Sequence, residues 1–456
     1  MAGFRKKTIA MTMGICSFFA TFSIVSILTL VALSDAKFSD FFTTGRVSHL
    51  KNRAANISKD VVVDVSSIQY DGGIKTLTEN LIGAMAQKRP HWRFILLTSD
   101  NFHDNFSKLK KYDNVKFLYA RAKYNKVFLS LRNAVNFLTL GLFRDKITQL
   151  TCYNTICLDD KCDLFFDPYA EIAVNDFSIP KVSLIHDLAY LDLPQYWLPD
   201  MIEWRKIVSN LIIQSSKKII TISEFSKQKI INSYRVNKDQ IAVIATRLAR
   251  RISHSNLNAD FANSILKKYG LDKRNYFIYP SSLWNHKNHL RLWTSFAKFS
   301  SSSGLNLKLA IVGKFQAKDS SDYFKNILKK KGLLDKVILT NFVPDNELKV
   351  LLANALALVF PSLYEGFGMP VIEAMTEGVP VICSNAGSLP EVAGDAALFF
   401  NPTNVEEMTA AMSKIAADAD LRNKLIQRGY KQAEKFANTD VMVDEYLKIF
   451  ESIMKN

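Results

Sequence analysis

Short apolar runs recur along this chain of 456 residues, each followed by a loop or a helix-like stretch, and that alternation narrows the fold more than any other feature. Asp60 to Val65 is a β-branched run; Ser66, Ser67 and the pair Gly72-Gly73 follow it, then a helical pattern from Thr76 to Gln87. Compact runs return at Trp92 to Thr98, Val115 to Ala120, Leu164 to Asp167, Lys181 to Ile185 and Lys218 to Ile222. Strand, loop and helix in repetition predict a parallel, doubly wound sheet, because parallel neighbours need a crossover long enough to hold a helix.

The pattern breaks near Ile241 to His254, a basic segment with Arg247, Arg250 and Arg251, and a new alternation opens at Tyr276 to Tyr279. It continues at Leu307 to Val312, Val337 to Leu339, Ala357 to Phe360, Val379 to Cys383 and Ala397 to Phe399. The expected division is therefore an α/β domain over 60–255 and a second over 256–436, each of ordinary size for one core. Asn404 to Phe436 reads as helices. Asp440 to Met454 reads as a last amphipathic helix, within 437–456, expected to pack back on the first domain.

Thr8 to Ser34 carries no charged side chain over 27 positions, more than the ~20 residues a helix needs to cross a bilayer. Residues 1–36 are read as a membrane anchor. Arg5, Lys6 and Lys7 in front, with Ala32-Leu33-Ser34 behind, also suit a cleaved secretory signal. Lys37, Arg46, Lys51 and Arg53 offset the leading cations, so the positive-inside rule leaves the orientation open. Residues 37–59 then read as a basic juxtamembrane linker able to lie against anionic headgroups.

The 59 Lys and Arg against 43 Asp and Glu, a formal charge of +16, favour a polyanionic partner. No zinc-finger spacing, RNA-binding aromatic signature or long Lys/Arg block accompanies that charge, so the expected partners are a membrane surface and phosphorylated small molecules, not nucleic acid. Five cysteines, an odd number, argue against a disulfide framework and for a reducing compartment, with a single bridge among Cys152, Cys157 and Cys162 left open. The even spacing of Cys152, Cys157 and Cys162 matches no tetrahedral zinc pattern.

In open α/β sheets ligands gather at the carboxyl ends of strands, where loops expose backbone N–H groups and helix N-termini. After Phe360 comes Pro361-Ser362-Leu363-Tyr364-Glu365-Gly366-Phe367-Gly368-Met369-Pro370, then a helix starting near Val371 and carrying Glu373. Gly366 and Gly368 allow close approach of backbone to a ligand, Pro370 suits a first helical turn, and both carboxylates can accept hydrogen bonds from sugar or ribose hydroxyls. The run from Phe360 through Glu391, with Glu365-Gly366-Phe367-Gly368, Glu373-Ala374-Met375, Gly378-Val379-Pro380-Val381 and Gly387-Ser388-Leu389-Pro390-Glu391, resembles the donor-site signature of the family 4 retaining glycosyltransferases. The resemblance covers Asp60 to Met454, more closely in the second half.

That resemblance implies a GT-B fold, two Rossmann-like domains facing each other across a cleft, in which Glu365 contacts the donor sugar and Glu373 holds the ribose hydroxyls. It places Lys287, in Tyr279-Pro280-Ser281-Ser282-Leu283-Trp284-Asn285-His286-Lys287-Asn288, on the donor diphosphate, where a compact ammonium also stabilises the leaving group. The arginine that the family often carries a few residues earlier is replaced here by Ser281 and Ser282; Arg247, Arg250 or Arg251 are the substitutes at hand. Gly72 and Gly73 correspond to a glycine loop on the diphosphate, and His186, beside Asp187, to a histidine near the reacting sugar. Phe342 and Val343 lie where the nucleobase is read. For Ser223-Glu224-Phe225-Ser226 a helix-capping role suffices.

The resemblance also implies transfer with retention of configuration by front-face attack, with the departing phosphate taking the acceptor's proton. The one Asp-x-Asp, Asp418 and Asp420, lies in the helical C-terminal region, so no metal and no cofactor beyond the nucleotide-sugar co-substrate is expected. Expected partners are a UDP- or GDP-sugar and a glycan or lipid-linked acceptor, with the catalytic part on the cytoplasmic face of a membrane. The competing readings are a membrane-tethered binding or scaffold protein with a decayed site, and a sugar-nucleotide epimerase or hydrolase of the same architecture.

Overall fold

A computed structural model describes residues 43–47, 57–65, 73–99, 106–120, 155–158, 162–170, 179–247, 258–313 and 320–455. The regions 1–42 and 121–154, with the expected anchor at 8–34, lie outside them, and among the described residues no helix is long and apolar enough to cross a membrane. By contact the described chain falls into two compact units. One holds the residues up to Ser183, Glu203–Lys217 and those from Ile453 onward; the other holds Leu184–Ile202 and Lys218–Ser452.

The elements of the first half are β1 (Thr43–Val47), β2 (Lys59–Asp64), α1 (Gly73–Lys88), β3 (Trp92–Ser99), β4 (Val115–Ala120), β5 (Thr155–Leu158), β6 (Leu164–Asp167) and β7 (Lys181–Leu184). They continue through α2 (Ala189–Asp192), α3 (Pro199–Ser215), β8 (Lys218–Thr221), α4 (Glu224–Ser233) and β9 (Ile241–Val243). Seven of these strands form one sheet in the order β4-β3-β2-β6-β7-β8-β9, and β1 pairs with β5 in a separate ribbon. Parallel pairing joins β2 to β3 and β6, β3 to β4, β6 to β7 and β8 to β9. Val62, Ile95, Leu97, Cys162, Phe165 and Ile179 make one buried cluster on this sheet, the expected result of short strands that are apolar throughout.

The β9 strand departs from the expected pattern break. Ile241-Ala242-Val243 is only three residues long, yet Ile219 to Thr221 supply its partners, and a ladder of that length leaves too little periodicity to read.

The second half runs α5 (Ala259–Lys268), β10 (Tyr276–Pro280), α6 (His289–Ser302), β11 (Lys308–Val312), α7 (Ser320–Lys330), β12 (Val337–Leu339), α8 (Asp345–Ala353) and β13 (Ala357–Phe360). It ends with α9 (Met369–Thr376), β14 (Val381–Ser384), α10 (Leu389–Ala393), β15 (Ala397–Phe400), α11 (Val405–Ala417), α12 (Ala419–Glu434) and α13 (Thr439–Met454). Six strands pair in parallel in the order β12-β11-β10-β13-β14-β15. Counted from β10 this is 3-2-1-4-5-6, the doubly wound Rossmann order, whose direction of winding reverses between β10 and β13. Tyr276 to Tyr279 are fully buried, with Phe277 edge-on to Phe296 and Phe299 of α6. Helix α6 is fastened to α11 where Ser295 Oγ donates to Val405 O at 3.1 Å.

Candidate active site

The loops after β10 and β13 leave the sheet side by side at the reversal of winding, the place where such sheets hold ligands. They are tied together before any side chain reaches solvent. Leu363 N donates to His286 O at 2.8 Å. Buried Tyr279 donates its hydroxyl to Lys287 O at 2.9 Å and meets Ser362 Oγ at 3.0 Å. Asn288 adopts the left-handed region, φ 64°, a conformation that asparagine tolerates, and its Nδ2 donates to Pro361 O at 3.0 Å and Pro402 O at 2.7 Å. Asn285–Lys287 forms a single 3-10 turn ahead of α6, and Lys287 stands at its end.

From there Lys287 Nζ donates to Glu365 Oε1 at 2.6 Å, with Nζ 5.9 Å from the centre of the Phe360 ring. Both side chains are largely shielded, 20% and 12% exposed. Glu365 is held by its backbone as well, its carbonyl accepting Ser388 Oγ at 3.0 Å and Ser388 N at 3.2 Å. Gly387 has φ +63°, and a Cβ there would lie 2.7 Å from Glu365 O. Gly368 has φ +97° and a Cβ would meet Leu389 Cδ2 at 2.5 Å. Only glycine meets both demands, a left-handed backbone and no side chain.

Gly366 makes a third close approach: a Cβ on it would stand 2.9 Å from His186 O and 3.1 Å from Asp187 Cβ. His186 is therefore brought to the glycine turn through its carbonyl, which also accepts Ser226 Oγ at 3.2 Å. Asp187 Oδ1 accepts Ala189 N at 3.0 Å, and Tyr364 Oη accepts Leu188 N at 3.4 Å. Helix α9 begins at Gly368 with no side-chain cap and with Pro370 in its first turn. It carries Glu373 buried, 3% exposed.

The remaining expected residues are placed singly. Phe367 is buried with its ring edge-on to Phe436 at 5.4 Å. Phe342 and Val343 follow β12, the first 61% exposed and the second buried, next to Asn341 with φ 60°. Gly73 opens α1, and Gly72 lies outside the described residues. Ser281 Oγ donates to its neighbour's carbonyl at 3.0 Å, Arg247 donates to Lys435 O, and Arg250 and Arg251 lie outside the described residues. Asp418 caps α12 by accepting Leu421 N at 2.8 Å. Among the described residues no group of His, Cys, Asp and Glu is arranged to hold a metal ion, and Cys162 and Cys383 are buried thiols.

Two histidines beside Lys287 have their pKa lowered. Burial first, then the neighbouring Lys287 charge, lowers the His286 pKa, with Glu365 and Asp187 opposing. Burial pushes His289 down to about 4; its Nε2 meets Ser282 O at 3.1 Å. The Lys287 ammonium is thus balanced by the Glu365 carboxylate it holds. Asn288, Tyr364 and Glu391 have no role assigned from sequence; the Asn288 amide nitrogen, the Tyr364 hydroxyl and the Glu391 carboxylate each bond residues distant in the chain. The one sequence signal was that Glu391 closes the run beginning at Phe360.

Residues 262–432 match the family model described as Glycosyl transferases group 1. That stretch belongs to the family. Among curated relatives, an O-antigen chain mannosyltransferase B of Escherichia coli is 30% identical over 256 residues, 56% of this chain and 66% of that protein. The O-antigen chain mannosyltransferase RfbU of Salmonella typhimurium is 29% identical over 269 residues, 58% of this chain and 68% of its own length. The chain thus spans about two thirds of these two relatives. In fold it is similar to Anabaena Alr3699/HepE, solved in complex with UDP and glucose, with a TM-score of 0.64 over 87% of this chain and all of that one, at 16% identity. The architecture is GT-B-like, with two parallel Rossmann-like sheets.

Proposed function

We propose that this chain is a retaining glycosyltransferase of polysaccharide biosynthesis, mannosyltransferase-like, that moves a sugar from a UDP- or GDP-sugar to a glycan or lipid-linked acceptor. The observation that carries the reading is the Lys287–Glu365 pair beside a glycine turn that opens the helix bearing buried Glu373. Its support is the group 1 match and the O-antigen mannosyltransferase relatives.

In this reading the donor diphosphate takes over the Lys287 ammonium, which neutralises it and stabilises it as leaving group. Glu365, released from the lysine, accepts a hydroxyl of the donor sugar, and Glu373 takes the ribose. The positive end of the α9 dipole favours the anionic donor at the same place. The acceptor attacks from the face the diphosphate leaves, and a phosphate oxygen takes its proton, so no side-chain base and no metal is needed. The residues 8–34 anchor the chain, and the catalytic part works on the cytoplasmic face, where nucleotide sugars are made.

The test is a thermal-shift titration of the protein against UDP, GDP, UDP-glucose, UDP-N-acetylglucosamine and GDP-mannose, with Glu373→Ala and Lys287→Ala alongside. A ligand that binds only the folded state raises the melting temperature by mass action. A shift selective for one nucleotide sugar and lost in both variants supports the assignment. A well-folded protein that responds to none of them is a scaffold instead, and release of free sugar at the same rate with and without acceptor marks a hydrolase.

A further inference from the structure

Glu391 lies in the first turn of α10, and its carboxylate accepts two backbone N–H groups at the start of α4, Glu224 N to Oε1 at 2.9 Å and Phe225 N to Oε2 at 3.0 Å. Ser223 covers the next two, its Oγ accepting Ser226 N at 3.1 Å and its carbonyl Lys227 N at 3.1 Å. The first turn of α4 is thereby satisfied, half of it by a charge from an element 166 residues away. A carboxylate at a helix N-terminus gains both from charge-assisted bonds and from the helix dipole.

The contacts that follow close a ring within one compact unit. From α4, Ser226 Oγ holds the carbonyl of His186. That carbonyl rests against Gly366, whose neighbour Glu365 is held through its own carbonyl by Ser388. Ser388 precedes α10, which carries Glu391. The ring has no long, flexible side chain in it other than Glu391 itself.

We propose that Glu391 is a positioning residue of the transferase, fixing His186 against the Glu365 turn through α4 and Ser226. The proposal rests on the glycosyltransferase reading for its kinetic consequence but not for its geometric one. Glu391→Gln keeps one acceptor oxygen and loses the charge; Ser226→Ala breaks the next link and leaves Glu391 intact.

Full-length protein carrying each change and both together is assayed with GDP-mannose and UDP-glucose, and hydrogen exchange is followed in the peptide spanning 184–190. Glu391→Gln should lower kcat about tenfold, with the donor KM within about twofold of the parent, because the interaction sets geometry rather than binding. Ser226→Ala should do the same, and the double variant should be no worse than Glu391→Gln alone, since both cut one chain of contacts. Exchange at 184–190 should rise in both. Unchanged exchange and kcat in both variants, or losses that multiply in the double, overturn the proposal. If the parent turns over no UDP- or GDP-sugar, the transferase reading fails, and the exchange result alone decides the positioning claim.

Discussion

Lys287 Nζ and Glu365 Oε1 are 2.6 Å apart although the two residues are 78 positions apart in the chain. The pair stands where the parallel sheet reverses its winding, between β10 and β13. Lys287→Ala removes the cation and leaves a largely shielded carboxylate behind, so a donor diphosphate meets repulsion in place of neutralisation. The expected loss in kcat/KM is about 10²–10³-fold, the size seen when one charge-stabilising group is deleted. Steady-state kinetics with the turned-over donor measure it, and a loss smaller than about threefold would remove Lys287 from the reaction.

Gly366 tests the packing beneath that pair. An alanine there sets Cβ 2.9 Å from His186 O, and that nearest atom is backbone, which yields less than a side chain does. Gly366→Ala is expected to cost about 1–3 kcal/mol by urea denaturation and to lower transferase activity by more than the loss of folded protein explains. Full activity with unchanged stability would mean that the two segments part freely.

His289 makes stability depend on pH. Its folded pKa, about 4 through burial, lies below the ordinary value of 6.5, so the unfolded chain binds the proton more tightly. Its contribution is complete above about pH 6.5, falls as the pH drops toward 4 and falls no further below that; the upper bound is about 3 kcal/mol. Urea denaturation between pH 7.5 and pH 4 should show His289→Phe with a shallower acid loss than the parent. Parallel curves would refute it.

A buried ion pair in the first unit gives a stability test far from the donor loops in sequence. Lys181 Nζ and Asp167 Oδ2 are 3.8 Å apart, each no more than 3% exposed. Burial raises the Asp167 pKa and lowers that of Lys181, each partly countered by the other's charge, and Asp64 adds a second carboxylate to the lysine's surroundings. Lys181→Met leaves those carboxylates buried without a cation and should cost about 3–5 kcal/mol. Adding Asp167→Asn should return part of that loss. A cost under about 1 kcal/mol for the single change would show that the pair is not electrostatically coupled.

Most strands of the two large sheets were legible because parallel strands buried on both faces are short apolar runs, as at Leu164–Asp167 and Val115–Ala120; Thr43–Val47, inside the expected linker over 37–59, and its partner Thr155–Leu158 were not, since neither run is apolar enough to stand out. Ile241–Val243 was missed because three residues carry no period, and its partner β8 supplies what the segment lacks. The site divides the same way. Glu365, Gly366, Gly368 and Glu373 occupy one continuous run of sequence, so their spacing is visible. The contacts of Asn288 with Pro361 and Pro402, and of Glu391 with α4, join residues whose partners no local spacing reveals.

By itself the sequence determined the alternation of strand and helix and the glycine-flanked glutamates after β13, since these depend on propensity, burial period and backbone freedom within a few residues. Only the tertiary structure decided that Lys287 meets Glu365, that the carbonyl of His186 closes on Gly366, and that Glu391 caps a helix begun 167 residues earlier. The physical reason is reach: a hydrogen bond of about 3 Å is specified by where whole strands end in a sheet, and strand order is a property of packing that no segment carries alone.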